Sequence, residues 1–312
     1  MAGFNTRALI EKDKHCCSTI RSNARQYFPH AIVLETNIQR LTVAELRRRI
    51  DLPGSLDLVS GGPPCQSFSI SKIPKGGRVR DPRDELLRHF VRFVKNLKPR
   101  AFIFENVPGL LSRSEGRIFK DLTRQFLRIG YVPTVGIMNA ADFGVPQLRR
   151  RLFVVGCSDG HRIDFPTPTH NATGSDGLRR HISIGETLSP LSNHLPNSQI
   201  PRNTPAKKKM LAKMVPGGRW THWRHRDRWA DPSRCLTAHC RDEWVHPIEP
   251  RAGSVRELAT LQTFPSQYVF RGPINSCNNS TDSFQYRQVG NAVPVRMARF
   301  LGRTLASHLD WC

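Results

Sequence analysis

Short apolar runs and longer segments with helical spacing alternate along the first half of the chain. The apolar runs predict strands near residues 8–10, 31–34, 56–60, 101–105 and 152–156. The helical spacing predicts helices near residues 13–27, 42–50, 84–97 and 114–129. Asp13 is suited to cap the first helix, and Thr42 and Glu45 have capping-box spacing before the second. This alternation predicts an α/β fold with a Rossmann-like, doubly wound and mainly parallel sheet.

The pattern changes after Phe165, where Pro, Gly and small polar residues mark a linker, and strong periodicity returns only near Val255. We therefore expect a first domain at residues 1–165, a smaller domain at 166–250 and a return segment at 251–312. The middle segment carries thirteen Lys and Arg residues against seven Asp and Glu residues, and it holds the tryptophans Trp220, Trp223, Trp229 and Trp244. Basic residues mixed with aromatics suit phosphate contact and base stacking, although these tryptophans also suit a small core.

The sequence Gly-Gly-Pro-Pro-Cys-Gln-Ser-Phe at residues 61–68 follows the strand predicted at 56–60. Two prolines stiffen the backbone and hold Cys65 just past the carboxyl end of that strand, where open α/β sheets place their chemistry. A cysteine presented in this way can act as a thiolate nucleophile, whereas a cysteine packed in a core is inert. The alternative is an ordinary strand-to-helix turn with an incidental cysteine.

Further motifs follow in a fixed order. Phe-Ile-Phe-Glu-Asn-Val-Pro-Gly at 102–109 is an apolar strand that ends in a carboxylate and an amide. The others are Gln-Leu-Arg-Arg-Arg at 147–151, Arg-Glu-Leu-Ala-Thr-Leu-Gln-Thr-Phe-Pro at 256–265 and Gln-Val-Gly-Asn-Ala-Val-Pro at 288–294. With the Pro-Cys-Gln segment, this ordered set resembles the DNA cytosine-5 methyltransferases of bacterial restriction-modification systems, from about Leu9 to about Arg299.

The resemblance implies covalent catalysis on cytosine, and the residue types suit that chemistry. A Cys65 thiolate adds to carbon 6 of the base and leaves carbon 5 able to accept a methyl group. Glu105, if burial raises its pKa, donates a proton to ring nitrogen 3, and Arg151, with Arg149 as a second candidate, holds oxygen 2. A buried ion pair between Glu105 and one of these arginines is the structural alternative, and the two interpretations are compatible. The base must be flipped out of the duplex.

The resemblance also implies S-adenosylmethionine as the cofactor. Glu11 takes the position that binds the ribose hydroxyls, while Lys12 departs from the family, standing where a hydrophobic or aromatic residue often packs on adenine. Asn37 and Ile38 stand where Asp-Ile is usual in the family, beside the adenine amino group. The residues implied at the methionine end are Gly62, Pro64, Leu86, Asn291 and Ala292.

By the same resemblance, residues 1–165 form a methyltransferase catalytic domain, 166–250 a target-recognition domain, and 251–312 complete the catalytic domain. Family members begin with a strand and a Phe-x-Gly-x-Gly turn that cradles the cofactor. No Gly-x-Gly occurs in these 312 residues. We therefore expect a strand, a turn and part of a helix to be missing, roughly 25–30 residues, and we expect activity of the chain as written to suffer.

A formal net charge of +23 and a pI near 10.7 indicate a polyanionic partner, and we expect double-stranded DNA. Lys207, Lys208 and Lys209 are expected to be solvated or to face phosphates, and the basic stretch 66–80 is expected to close over DNA unless it is a plain surface loop. No apolar stretch predicts a membrane span, and no signal peptide is evident.

Eight cysteines without paired CxxC spacing predict a reduced, cytoplasmic protein. We expect no metal, since the spacing of the possible ligands Cys235, His239, Cys240 and His246 matches no common zinc site. We expect a monomer, with a cognate restriction endonuclease as a partner. Two alternatives stay open: a catalytically impaired DNA-binding relative, and a tRNA cytosine-5 methyltransferase. The size of the 166–250 segment favours DNA over tRNA.

Overall fold

The computed structural model describes residues 2–63, 84–201, 203–218, 224–274 and 284–310, other than the side chains of residues 84 and 85. Several predicted features lie outside the described residues: Cys65, its neighbour Pro64, the basic stretch 66–80, Trp220 and Trp223.

Strands and helices alternate over most of the described chain. The strands are β1 Ala8–Glu11, β2 Ile32–Glu35, β3 Leu58–Gly61, β4 Ala101–Asn106, β5 Val132–Asn139, β6 Gln147–Leu148, β7 Arg150–Cys157, β8 His170–Asn171, β9 Arg179–Arg180, β10 His225–Arg226, β11 Ser233–Arg234 and β12 Trp244–Val245. The α-helices are α1 Lys14–Tyr27, α2 Val43–Arg49, α3 Asp84–Leu97, α4 Arg117–Arg128, α5 Ile184–Leu188, α6 Pro205–Ala212, α7 Cys240–Glu243, α8 Val255–Leu261, α9 Gln285–Asn291 and α10 Val295–Asp310.

The main sheet has the strand order β3-β4-β7-β5. β3 and β4 are parallel, and β7 runs antiparallel to both β4 and β5, so β3, β4 and β5 share one direction. The register pairs Glu105 with Phe153 and Asn106 with Leu152. The carboxyl end of β4 therefore lies beside the beginning of β7.

Helices cover both faces of this sheet. Ala101 and Ile103 of β4 pack against α10 on one face. Phe102 and Phe104, the intervening residues, pack against α3 and α4 on the other, because successive side chains of a strand point to opposite faces. The ring of Phe102 stacks on that of Phe126 at a centroid distance of 4.0 Å. This arrangement of three layers confirms the predicted doubly wound α/β fold.

β1 and β2 form a separate parallel pair. Ile10 of β1, Leu34 of β2 and Val59 of β3 pack on one apolar cluster together with α2 and α3, so the two sheets share a core. Within the described ranges, β1 pairs with β2 alone and β3 pairs with β4 alone. In the part of the chain that the structure describes, one backbone edge of each of these two strands therefore has no strand beside it.

The predicted cap at Asp13 is confirmed, and at Thr42 the structure shows one of the two hydrogen bonds of a capping box. The Asp13 carboxylate accepts hydrogen bonds from the backbone N–H groups of His15 and Cys16 at 2.9 and 3.0 Å. The Thr42 hydroxyl accepts from the backbone N–H of Glu45 at 3.1 Å.

The pattern of the sequence did not predict β5, and it did not give the direction of β7. Pro133 and Gly136 interrupt the apolar alternation of β5, but a proline is tolerated there because β5 is an edge strand. β7 follows β5 through residues 140–149 without a long crossover helix, and such a short connection joins antiparallel strands.

Part of the 166–250 segment shares its core with the segment that follows it. Ile184, Leu236 and Trp244 pack in one cluster with Leu258 and Tyr286. A smaller cluster around α6 lies apart, formed by Leu211, Met214 and Val245. The domain boundaries at 166 and 250 stay predictions. No helix in the described ranges is both long enough and apolar enough to cross a membrane.

Candidate active site

Glu105 and Gly62 lie side by side where β4 and β3 end. A Cβ atom on Gly62 would lie 2.7 Å from Oε2 of Glu105, so a side chain at this position would displace the carboxylate from where it lies. The neighbouring Asn106 donates from Nδ2 to the carbonyl of Pro63 at 3.4 Å. Residues 105 and 106 therefore contact the segment that leads to the predicted nucleophile Cys65.

Arg151 is brought to Glu105 by the antiparallel pairing of β7 with β4. Its Nε lies 3.1 Å from Oε1 of Glu105, and the two side chains are only 13% and 18% exposed. Burial raises the pKa of the Glu105 carboxyl, and the guanidiniums of Arg151 and Arg149 oppose this effect. The predicted ion pair and the predicted upward shift of the pKa therefore occur together. The catalytic roles of both residues stay predictions.

Arg149 is buried and holds two other segments. Its Nη1 donates to the carbonyl of Leu236 at 2.5 Å, and its Nη2 donates to the carbonyl of Gly290 at 2.9 Å. Burial, helped by the charge of Arg151, lowers the pKa of Arg149 to about 10, so it is still protonated at neutral pH. These contacts favour an anchoring function over the contact with oxygen 2 that the sequence suggested as the second candidate.

Buried and exposed side chains alternate along residues 147–151, and this alternation explains the spacing of the Gln-x-Arg-x-Arg motif. Gln147, Arg149 and Arg151 are buried or nearly so, whereas Leu148 and Arg150 are exposed. Oε1 of Gln147 accepts from the backbone N–H of Leu236 at 3.0 Å, and Nε2 of Gln147 donates to Oε1 of Gln262 at 3.2 Å.

Two close approaches in this region were not predicted from the sequence. Sγ of Cys235 lies 3.5 Å from Nη1 of Arg149 and 3.9 Å from both Nη1 and Nη2 of Arg151. A Cβ atom on Gly290 would lie 1.8 Å from the carbonyl oxygen of Thr237. The glycine of the Gly-Asn motif signals the second approach, while nothing in the sequence signals the first.

The residues predicted to bind the ribose and adenine lie where β1 and β2 end. Oε1 of Glu11 accepts from the backbone N–H groups of Lys12 and Asp13 at 2.7 and 2.9 Å, and Lys12 itself is exposed. Asn37 accepts from the backbone N–H of Gln39 at 3.0 Å. The carbonyl of Ile38 accepts from Nη2 of Arg92 at 2.7 Å.

The other predicted cofactor residues lie on different elements. Leu86 is half-buried in the first turn of α3. Asn291 is exposed at the end of α9, and the carbonyl of Ala292, the C-cap of that helix, accepts from Gln262 at 3.4 Å. The structure brings Gly62 to Glu105, but it links neither Leu86 nor Asn291 to them by a hydrogen bond among the described residues.

The possible zinc ligands of the sequence do not bring their ligand atoms together in the part of the chain that the structure describes. Sγ of Cys240 donates to the carbonyl of Tyr286 at 3.4 Å, while Nε2 of His246 lies 3.7 Å from Glu257. In the described part of the chain, ligand atoms converge only at Cys157, Asp159 and His308, at the far end of β7 from Arg151. There the imidazole of His308 already pairs with Asp159 at 3.2 Å.

This fold is that of an α/β methyltransferase. Residues 1–307 match the family described as C-5 cytosine-specific DNA methylase, and the chain belongs to this family.

Curated relatives and a solved structure agree with this assignment. The type II methyltransferase M1.HphI of Haemophilus parahaemolyticus is 36% identical over 97% of this chain and 81% of its own. M.SacI of Streptomyces achromogenes is 34% identical over 91% of this chain and 80% of its own. A prophage-encoded DNA modification methyltransferase of E. coli superposes with a TM-score of 0.73 at 21% identity, covering 99% of this chain and 94% of its own.

Proposed function

We propose that this chain transfers a methyl group from S-adenosylmethionine to carbon 5 of a flipped-out cytosine in a specific DNA sequence, through a covalent adduct on Cys65. The observation that carries the proposal is the Glu105–Arg151 pair at 3.1 Å, beside Gly62 in the segment that leads to Cys65. The physiological setting we propose is a restriction-modification system, because M1.HphI and M.SacI are named type II methyltransferases. The description of the matching family, C-5 cytosine-specific DNA methylase, supports DNA over tRNA as the substrate.

Glu105 and Arg151 have different functions in the proposed reaction. Addition of the Cys65 thiolate to carbon 6 pushes electrons toward nitrogen 3 and oxygen 2 of the ring. Burial raises the pKa of Glu105 and so favours its protonated form, and in that form Glu105 donates its proton to nitrogen 3. Arg151 stays charged and holds oxygen 2 through its guanidinium N–H groups. After methylation, a base removes the proton on carbon 5, the thiolate is expelled from carbon 6, and nitrogen 3 returns its proton to Glu105, which restores the aromatic ring.

Arg149 supports the Glu105–Arg151 pair through its hydrogen bonds to the backbone. Its guanidinium is bound to the carbonyls of Leu236 and Gly290, so it fixes the position of the strand that carries Arg151.

Unstacking a cytosine costs a few kcal/mol, and the basic surface that binds the flanking phosphates must offset this cost.

The residues at the carboxyl ends of β1 and β2 fit the ribose and adenine of S-adenosylmethionine. The backbone N–H groups of Lys12 and Asp13 both donate to Oε1 of Glu11. We propose that the other carboxylate oxygen, Oε2, accepts hydrogen bonds from the ribose hydroxyls. When bound, the cofactor supplies an electrophilic methyl group. Gly62 and Asn291 are proposed to lie at its methionine end, with Pro64, Leu86 and Ala292.

The test of this function is a covalent trap. The wild-type chain is incubated with S-adenosylmethionine and with DNA that carries 5-fluorocytosine at candidate sites, and adducts are resolved on denaturing gels. We expect an adduct with the wild-type protein, none with Cys65→Ser, and unchanged adduct formation with Cys16→Ser, which changes a cysteine on α1. DNA binding of Cys65→Ser should stay close to wild type. An adduct that survives Cys65→Ser would contradict the assignment, and DNA binding without any methyl transfer would favour the catalytically impaired alternative.

A further inference from the structure

Cys235 lies at a junction between the predicted target-recognition segment and the two arginines. It directly follows β11, which pairs with β6 in the register Ser233 to Gln147. The next residue, Leu236, donates its N–H to Gln147 and accepts a hydrogen bond from Arg149. The backbone on both sides of Cys235 is therefore fixed against the arginine-bearing segment.

The sulfur of Cys235 contacts the guanidiniums of both Arg149 and Arg151. Sγ is 3.5 Å from Nη1 of Arg149 and 3.9 Å from each terminal nitrogen of Arg151, and it also approaches the carbonyl of Leu236 at 3.7 Å. The two arginines repel one another, which contributes to the lowered pKa of Arg149. A polarisable acceptor between two like charges reduces this repulsion.

Arg151 is consequently held on two sides. Its Nε faces Glu105 at 3.1 Å, its Nη1 donates to the carbonyl of Arg150 at 2.8 Å, and its terminal nitrogens face Cys235. Without the sulfur, the terminal nitrogens of Arg151 would keep the hydrogen bond to the carbonyl of Arg150 as their one remaining hydrogen bond among the described residues. The guanidinium of Arg151 could then rotate about its contact with Glu105.

We propose that Cys235 is a positioning residue for Arg151, through which the 166–250 segment sets the geometry of the catalytic Glu105–Arg151 pair. The inference rests on the proposed function, since it concerns a residue that acts on the base through Arg151. It predicts that Cys235 affects the rate of methyl transfer more than the affinity for DNA.

The experiment compares Cys235→Ala, which removes the acceptor, with Cys235→Ser, which restores a smaller one. Cys240→Ala is the matched control, because Cys240 lies five residues further on and bonds to the carbonyl of Tyr286. We measure single-turnover methyl transfer at saturating DNA and the dissociation constant for DNA. Cys235→Ala should lower the rate about tenfold, since displacement of a positioned group by about 1 Å can cost up to about 100-fold. DNA affinity should change less than about twofold, and Cys235→Ser should recover most of the rate.

Three results would overturn the proposal: an unchanged rate in Cys235→Ala, a parallel loss of DNA affinity, or an equal loss in Cys240→Ala. A second readout does not depend on turnover. The Glu105 carboxyl is followed by carbon-13 NMR titration and identified by its loss in Glu105→Gln. Because Arg151 lowers the pKa of Glu105, loosening Arg151 should raise that pKa further in Cys235→Ala and leave it unchanged in Cys240→Ala. An unshifted titration in Cys235→Ala would refute the positioning role even if the proposed function failed its own test.

Discussion

Nε of Arg151 lies 3.1 Å from Oε1 of Glu105 at the boundary between a parallel and an antiparallel strand pair. This contact places a permanent cation beside a carboxyl whose pKa burial raises. Ionisation of Glu105 is favoured by the arginine and opposed by its low exposure to water. The balance sets the pH range over which Glu105 can donate a proton.

The first prediction concerns the pH dependence of methyl transfer. Because the native pKa of Glu105 is raised, its protonated fraction falls as the pH rises through that value, and the rate should fall with it. Glu105→Gln should lower the single-turnover rate about 100-fold and remove this alkaline decline. The measurement is a profile of single-turnover rate against pH for both proteins. A decline that persists unchanged in Glu105→Gln would show that another group titrates.

The same shift has a consequence for stability. A carboxyl with a raised native pKa binds more protons in the folded state than in the unfolded state. The unfolding free energy contributed by Glu105 therefore decreases as the pH rises from its unfolded pKa through its native pKa. Urea denaturation of wild type and Glu105→Gln across this range should show the decrease only in wild type.

The two arginines should respond differently to substitution by lysine. Arg151→Lys should reduce the rate of methyl transfer strongly and stability little, because a lysine cannot make the planar, two-point contact of a guanidinium. Arg149→Lys should instead reduce the unfolding free energy by about 1–3 kcal/mol, since a carbonyl of Leu236 or Gly290 would lose its donor in a buried site. Single-turnover rates and urea midpoints of both variants test the contrast. Equal effects on both quantities in the two variants would contradict the division of roles.

Gly290 is predicted to tolerate no side chain. A methyl group would fall 1.8 Å from the carbonyl oxygen of Thr237, and backbone atoms cannot move aside as a flexible side chain can. Gly290→Ala should therefore lower the unfolding free energy by at least about 1–3 kcal/mol, the usual cost of overpacking. Gly54→Ala is the control, because a Cβ there meets nothing within 4 Å. Similar urea midpoints for the two variants would show that α9 shifts freely.

The sequence predicted helices, strands and residues suited to catalysis better than it predicted contacts between residues that are distant in the chain. The capped helices and the strands before Glu105 and after Arg149 follow from local patterns, because caps and apolar runs are short-range features. β5 escaped prediction because Pro133 and Gly136 break its alternation, and only its edge position makes them acceptable. Cys235 escaped prediction because its contact with Arg149 joins residues 86 positions apart, which no local pattern encodes.

The recognition segment is predicted to separate specificity from general affinity. Exchange of residues 166–250 for the equivalent segment of a relative with another target should change which sequence is methylated. Replacement of Lys207, Lys208 and Lys209 by alanine should instead weaken binding to all sequences, and each lost phosphate contact should reduce the salt slope by about 1. Methylation mapping and binding at several salt concentrations measure the two effects. An unchanged target after the exchange would refute the recognition role.

The last prediction concerns the cofactor and uses two carboxylates that face each other across one strand pair. Glu11 and Glu35 are register partners in β1 and β2, but only Glu11 is proposed to bind the ribose, while Glu35 forms an ion pair with Arg21 at 2.8 Å. Glu11→Gln keeps the shape of the side chain and removes the charge that strengthens its hydrogen bonds to hydroxyls. Loss of one such charged hydrogen bond should weaken binding of S-adenosylmethionine about tenfold, and Glu35→Gln should change it little. Isothermal titration of the cofactor without DNA measures both affinities. If Glu35→Gln weakened binding as much as Glu11→Gln, the effect would come from the charge of the strand pair as a whole, and the ribose assignment of Glu11 would be wrong.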